Sequence, residues 1–204
     1  WHMINEHHNQ VFELLLLKRK SQTLALTDPL TGLLNRRALL DHVGALAAHR
    51  GDARLLIVDI DCFKAINDTH GHEIGDTVLQ EVARLIDAHA GEDVCAARLG
   101  GEEFALLGPG DALPPGKAIQ ILTDIREATM PHGGHCTVSI GVAEGSLEDD
   151  AAWRDLYQRA DKALYAAKRR GRDRALNAAE LQAPASPRPD CAAPREAAPA
   201  RKVA

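Results

Sequence analysis

The sequence has no CxxC pair, no long apolar run and no long basic run, and each absence removes a class of protein. Its four cysteines, Cys62, Cys95, Cys136 and Cys191, stand singly. The simplest reading is reduced thiols in a cytoplasmic protein. The longest apolar stretch near the N-terminus, Leu14 to Leu17, falls far short of the roughly 20 residues that a membrane helix needs, so neither a membrane span nor a signal peptide is expected. The 24 Lys and Arg are outnumbered by 29 Asp and Glu, giving a net charge of −5. A general electrostatic grip on polymeric nucleic acid is therefore not expected. No internal repeat is present.

What remains is a chain of 204 residues with 45% hydrophobic content, enough to bury one core. The last residues, "AAELQAPASPRPDCAAPREAAPARKVA", are rich in Ala and Pro without apolar periodicity, and a disordered tail is expected over 177–204. Residues 4–26 hold no Pro or Gly and read as one helix, a signalling or linker segment over 1–26. Its apolar stripe of Ile4, Val11, Leu14 and Leu15 suits a coiled coil or packing on its own domain equally, because Lys18 and Ser21 interrupt it. Trp1 and His2 ahead of Met3 look like an expression remnant, which leads us to expect an upstream sensor or regulatory region.

Between these ends the pattern alternates. Helices are expected over 35–49, 76–90, 117–130 and 151–169, and strands over 54–60, 94–99, 103–107 and 136–142. The fold class is α/β, an α+β sandwich in which helices flank a mixed central sheet. "LGGEEF" is a hairpin signal, since glycine tolerates the positive φ of a tight turn. The domain is placed at 27–176.

Two groups of carboxylates carry the chemistry. Asp59 closes the apolar run "RLLIVDI", and an acid there is costly unless it is paired or binds a metal. It shares a face with Asp61 only if the strand continues through Ile60. Taken alone, Asp59 also fits a cap or a salt bridge. Glu102 and Glu103 leave the Gly-Gly turn, and a hairpin beside the Asp59 strand would bring the acids together. Mg²⁺ uses one or two carboxylates and completes its shell with water and substrate phosphates, so the combination fits phosphoryl transfer.

Four blocks in order, "LTDPLTGLLNRR", "DIDCFKAINDTHGHEIGD", "GGEEF" and "ADKALYAAKRRGRD", resemble the catalytic domain of GGDEF-family diguanylate cyclases. The resemblance covers about 26–174. It implies a palm-like sheet with an active-site hairpin, and condensation of two GTP into cyclic di-GMP with release of pyrophosphate across a homodimer of facing domains. It implies two Mg²⁺ ions per GTP, or Mn²⁺ in their place, held by Asp59, the Ile60 carbonyl and Glu102. Backbone amides of Cys62, Phe63 and Lys64, in a tight turn opening a short helix, would cradle the β- and γ-phosphates; Lys64 lends charge or is an ordinary surface lysine. By resemblance Lys168 and Arg172 grip the terminal phosphates, against a plain reading as a solvated helix end. The resemblance also assigns Asn67 and Asp76 to the base. A carboxylate accepts from both N1-H and the N2 amine of guanine, and adenine has no such pair of donors. Their ordinary readings are a turn for Asn67 and the N-cap of the next helix for Asp76. Glu103 either assists the chemistry or positions the metal shell.

The histidines do not make a zinc site: His72 belongs to a Gly-His turn, and His132, His135 and Cys136 lack a fourth ligand at a typical spacing. Two positions depart from the family. The inhibitory RxxD motif is replaced by "GEDV" at 91–94, which makes product feedback doubtful, and Asp173 stands where Asn is common. The competing function is a catalytically silent module that binds GTP or cyclic di-GMP. Loss of the metal acids would favour it, and they are present.

Overall fold

The computed structural model of the chain describes residues 26–47 and 52–182. The expected N-terminal helix, but for Leu26, and the tail beyond 182 lie outside the described residues. Six strands and six helices are described: β1 (Leu34–Asn35), α1 (Arg36–Ala47), β2 (Asp52–Ile60), α2 (Phe63–His70), α3 (His72–Asp87), β3 (Cys95–Gly100), β4 (Glu103–Pro109), α4 (Lys117–Glu127), β5 (Val138–Ser146), α5 (Asp150–Arg169), β6 (Arg174–Asn177) and α6 (Ala178–Gln182). The sheet runs β1-β3-β4-β2-β5-β6. Its inner pairs are antiparallel, and β1 and β6 join the two edges in parallel.

Side chains alternate across the sheet and separate two apolar layers, as the pleat requires. Leu56, Val58, Ile60, Phe104, Leu106 and Ile140 face one layer, covered by α2, α3 and α4 through residues such as Phe63, Val82 and Ile125. Leu55, Ile57, Ala105, Leu107 and Ala143 face the other, covered by α1 and α5 through Leu39, Leu156, Ala160 and Leu164. β2 lies at the centre, buried along all but its first residue, which explains its continuous apolar run. At Gly141 an added Cβ would meet the backbone of Ala160 and Leu164, so α5 lies directly on β5 and its last turn is carried to the end of β2.

Several boundaries move. α3 begins at His72 with Gly71 as its N-cap, so Asp76 is inside the helix and does not cap it. Asn67 lies in α2, not in a turn. β6 and α6 are described as far as Gln182, and Ala178, the second residue of the expected tail, is buried in the α5 layer. The α6 helix packs there because Ala178 and Leu181 fall on one face, a pattern hidden by the Ala-rich composition. Among the described residues no helix is long and apolar enough to cross a membrane. Cys95 and Cys136 are buried free thiols, pushed by burial up to about 11 and about 12 respectively, and are inert at neutral pH.

Candidate active site at the end of the central strand

The site forms where β2 runs out. By alternation Asp59 faces the α5 layer, opposite Glu103 on β4 and Ser139 on β5. Asp59 is only 5% exposed. Its burial is made tolerable by Lys168 at the end of α5, whose ammonium lies 2.7 Å from Oδ2. Burial pushes the Asp59 carboxyl above its usual range; the Lys168 hydrogen bond and charge pull the other way, and Asp61 adds to the rise. Glu102 behaves alike: burial raises it first, the charge of Asp59 raises it further, Lys168 opposes, and Glu103 adds a smaller push upward. Three carboxylates thus converge on one lysine, an excess of negative charge that a divalent cation would relieve.

The hairpin that delivers Glu102 is held at both ends. Gly100 and Gly101 take φ of 145° and 54°, the left-handed side that favours glycine. Phe104, fully buried in the α3 layer, anchors the base of β4. At the tip, Arg98 donates from Nε and Nη2 to the Gly101 carbonyl at 3.1 and 2.7 Å. Its Nη1 donates to Asp28 at 3.0 Å, and Asp28 also accepts from the Thr31 amide and hydroxyl. The Ile60 amide donates to the Glu102 carbonyl at 3.3 Å, which sets the hairpin against the end of β2. Glu103 and Lys168 border an open hollow of about 320 Å³ against α5, with Asp161, Lys162 and Tyr165 on its other side.

On the far side of β2's end, Cys62 takes φ 56° and caps α2. The amides of Phe63 and Lys64 fall in the first turn of that helix, where donors have no intrahelical acceptor. Phe63 is buried in the core while Cys62 and Lys64 are exposed, so the turn presents backbone and not bulk. Further along α2, the Asn67 Oδ1 is buried without a hydrogen-bond partner. It lies over Gly75 of α3, where any Cβ would collide with it. A buried acceptor without a partner is uncommon in a folded chain. Asp76, one residue on, is exposed.

The structure therefore brings Asp59, Glu102, Glu103 and Lys168 together. Cys62, Phe63 and Lys64 follow within four residues of the end of β2, and Asn67 and Asp76 lie around the junction of α2 and α3. Arg172 reaches the cluster through Asp61, its Nε 4.0 Å from Oδ1. Sequence reasoning gave Asp61 no role. It is 7% exposed and accepts bonds from the Thr137 and Ser139 hydroxyls, both at 2.7 Å, and from the Asp173 amide at 3.0 Å. It fixes the turn that carries Arg172. The D-x-D alternation placed it on the face of Asp59, but its partners come from 76 or more positions away and leave no local signal.

Among the described residues no three acidic, histidine or cysteine side chains form a complete cage for a metal. The available donors are oxygens, two carboxylates and a strand-end carbonyl, a set that suits a hard cation sharing its shell with substrate phosphates and water. The residues fit Mg²⁺ in that sense.

Residues 25–174 match the family described as "Diguanylate cyclase, GGDEF domain". The chain is similar to the diguanylate cyclase DgcP of Pseudomonas aeruginosa, 42% identical over 161 residues, which covers 74% of this chain and 23% of DgcP. It is 40% identical over 164 residues to the response regulator PleD of Caulobacter vibrioides, covering 75% of this chain and 36% of PleD. The chain thus spans about a quarter to a third of these curated relatives. Among solved structures, the coiled coil and GGDEF domain of DgcB from Caulobacter crescentus, in complex with c-di-GMP, superposes with a TM-score of 0.77 at 32% identity, covering 85% of this chain and 96% of that one.

Proposed function

Because this chain belongs to the GGDEF diguanylate cyclase domain family, we propose that it joins two GTP molecules into cyclic di-GMP with release of pyrophosphate, one GTP held by each of two facing copies. The observation that carries this reading is the convergence of Asp59, Glu102 and Lys168 at the end of the central strand. Asp59, Glu102 and the Ile60 carbonyl would hold Mg²⁺, or Mn²⁺ in its place, two ions per GTP. When bound, the ions lower the pKa of the attacking 3′-hydroxyl and neutralise charge that gathers on the phosphate oxygens.

The rest is done by the chain. The Cys62, Phe63 and Lys64 amides hold the β- and γ-phosphates, and Lys64 adds charge at the mouth. Lys168, bound to Asp59, would be shared between that carboxylate and a phosphate. Arg172, half-exposed on a fixed turn, offers its planar fork to the terminal phosphate. Asn67 and the Asp76 carboxylate would recognise guanine, the carboxylate accepting from N1-H and the N2 amine. Glu103, across the ladder from Asp59 and bordering the hollow, would assist the chemistry or position the metal shell.

Incubation with GTP and Mg²⁺ at several protein concentrations, followed by nucleotide chromatography, tests the proposal. Cyclic di-GMP and pyrophosphate are expected, with a rate that rises more steeply than linearly with protein at low concentration because two half-sites must meet. Asp59→Ala and Glu102→Ala are each expected to lose product formation while circular dichroism stays native. GTP left intact by wild-type protein at every concentration and with either metal would mean a silent nucleotide-binding module. Turnover near wild type in either natively folded variant would remove the metal assignment.

A further inference from the structure

Resting on the reading that Arg172 contacts the terminal phosphates, we propose that Arg126 on α4 is a positioning residue for Arg172, acting through Asp173. The turn after α5 is unusual in that two consecutive residues other than glycine, Arg172 and Asp173, take φ of 61° and 48°. Such backbone persists only where its surroundings over-determine it. Its inner side is held by the Asp173 amide on Asp61 at 3.0 Å and the Arg172 amide on the Ala167 carbonyl at 3.1 Å. Arg174 Nε donates to the Arg172 carbonyl at 2.9 Å, and the Asp173 side chain is held on its outer side by Arg126. Arg126 Nε donates to both Asp173 carboxylate oxygens, at 3.0 and 2.9 Å, and Nη2 donates to Oδ1 at 2.8 Å and to the Asp173 carbonyl at 3.4 Å.

The geometry makes this pair a strap across the sheet edge. α4 packs on one face of the sheet and α5 on the other, and the turn at 172–173 lies where β6 begins the edge. A guanidinium that grips carboxylate and carbonyl together fixes the peptide as well as the side chain. Arg172 is thereby left with a fixed backbone and a side chain 51% exposed, the arrangement of a group set in advance to meet a ligand. The acid at 173, where the family commonly has Asn, acquires a purpose: it accepts the Arg126 fork through two oxygens, which an amide cannot do.

Calorimetric titration with a non-hydrolysable GTP analogue and with GMP separates positioning from general support. Arg126→Gln and Arg172→Ala are each expected to weaken the triphosphate about tenfold and leave GMP within about twofold, and the double variant is expected to be no worse than Arg172→Ala. Asp173→Ala should match Arg126→Gln, while Asp173→Asn, which tolerates left-handed backbone and still accepts one bond, should recover most of the affinity. Arg126→Gln with unchanged triphosphate binding, where Arg172→Ala weakens it, would overturn the strap and leave the phosphate reading intact. Equal loss of triphosphate and GMP in Arg126→Gln, or additive losses in the double variant, would overturn it too. No effect of Arg172→Ala would remove the phosphate reading first and the strap with it.

Discussion

Asp59 shows how one residue sets stability against function. Burial raises its carboxyl, and Lys168 only partly offsets this, so without a cation the folded chain binds its proton more tightly than the unfolded chain does. The sign follows from linkage: stability from this group is fully present below the unfolded value near 3.8 and is lost as pH rises through the raised folded value. Glu102 acts in the same direction from a starting value of 4.5. Asp59→Asn removes the charge and keeps an acceptor for Lys168. In a chelator, the melting temperature of Asp59→Asn relative to wild type is expected to climb as pH rises from about 4 to 7. The gain should vanish or reverse in saturating Mg²⁺, because only wild type gains from the ion. A difference that stays flat with pH in chelator would show that Lys168 neutralises Asp59 fully.

At the scale of elements, the β3-β4 hairpin depends on a contact that reaches outside it. Arg98 joins the Gly101 carbonyl to Asp28, and the Asp28 carboxylate, which the Thr31 and Arg98 bonds hold below its usual value against the opposing effect of burial, ties the tip to the start of the domain. Asp28→Asn is expected to cost about 1 kcal/mol, below the usual range for a bond to a charged group because the pair is partly solvated. Amide hydrogen exchange at 100–103 should quicken, and turnover should fall with it. Unchanged protection at the tip in a variant of reduced stability would confine the role of Asp28 to its own loop.

The same elements show what sequence can carry. The buried run of β2, the Gly-Gly turn, and α5 with its Asp149 cap on the Ala152 amide announce themselves locally, and the acids of the site lie on them. β1 and β6 do not, being two and four residues long and made by parallel pairing with distant strands. The start of α3 has a weak local signal, because glycines stand at 71 and 75 and glycine is a poor helix former. Gly71 does break the chain, while Gly75 is required inside the helix by the Asn67 amide above it. Arg126 and Asp61 matter through partners brought by the fold, so nothing in their neighbourhoods marks them.

For the whole molecule, the expected response to product rests on the opposite end of β3. Gly91 and Val94 close a tight turn, exchanging backbone bonds at 3.3 Å. Val94 is buried in the core, and Glu92 and Asp93 are exposed. The turn therefore presents two negative charges where a dianionic ligand would need a guanidinium, and charge-assisted bonds are the strong ones in phosphate recognition. The net charge of −5 adds a long-range repulsion that salt screens. Cyclic di-GMP is accordingly expected to inhibit weakly, and only by competing with GTP at the end of β2. The two modes separate by calorimetry on protein saturated with a non-hydrolysable GTP analogue, where added cyclic di-GMP should give no binding heat. A tight, saturable isotherm under those conditions would place a product site elsewhere on the domain, and its loss in Glu92→Ala or Asp93→Ala would locate it at this turn despite the charges.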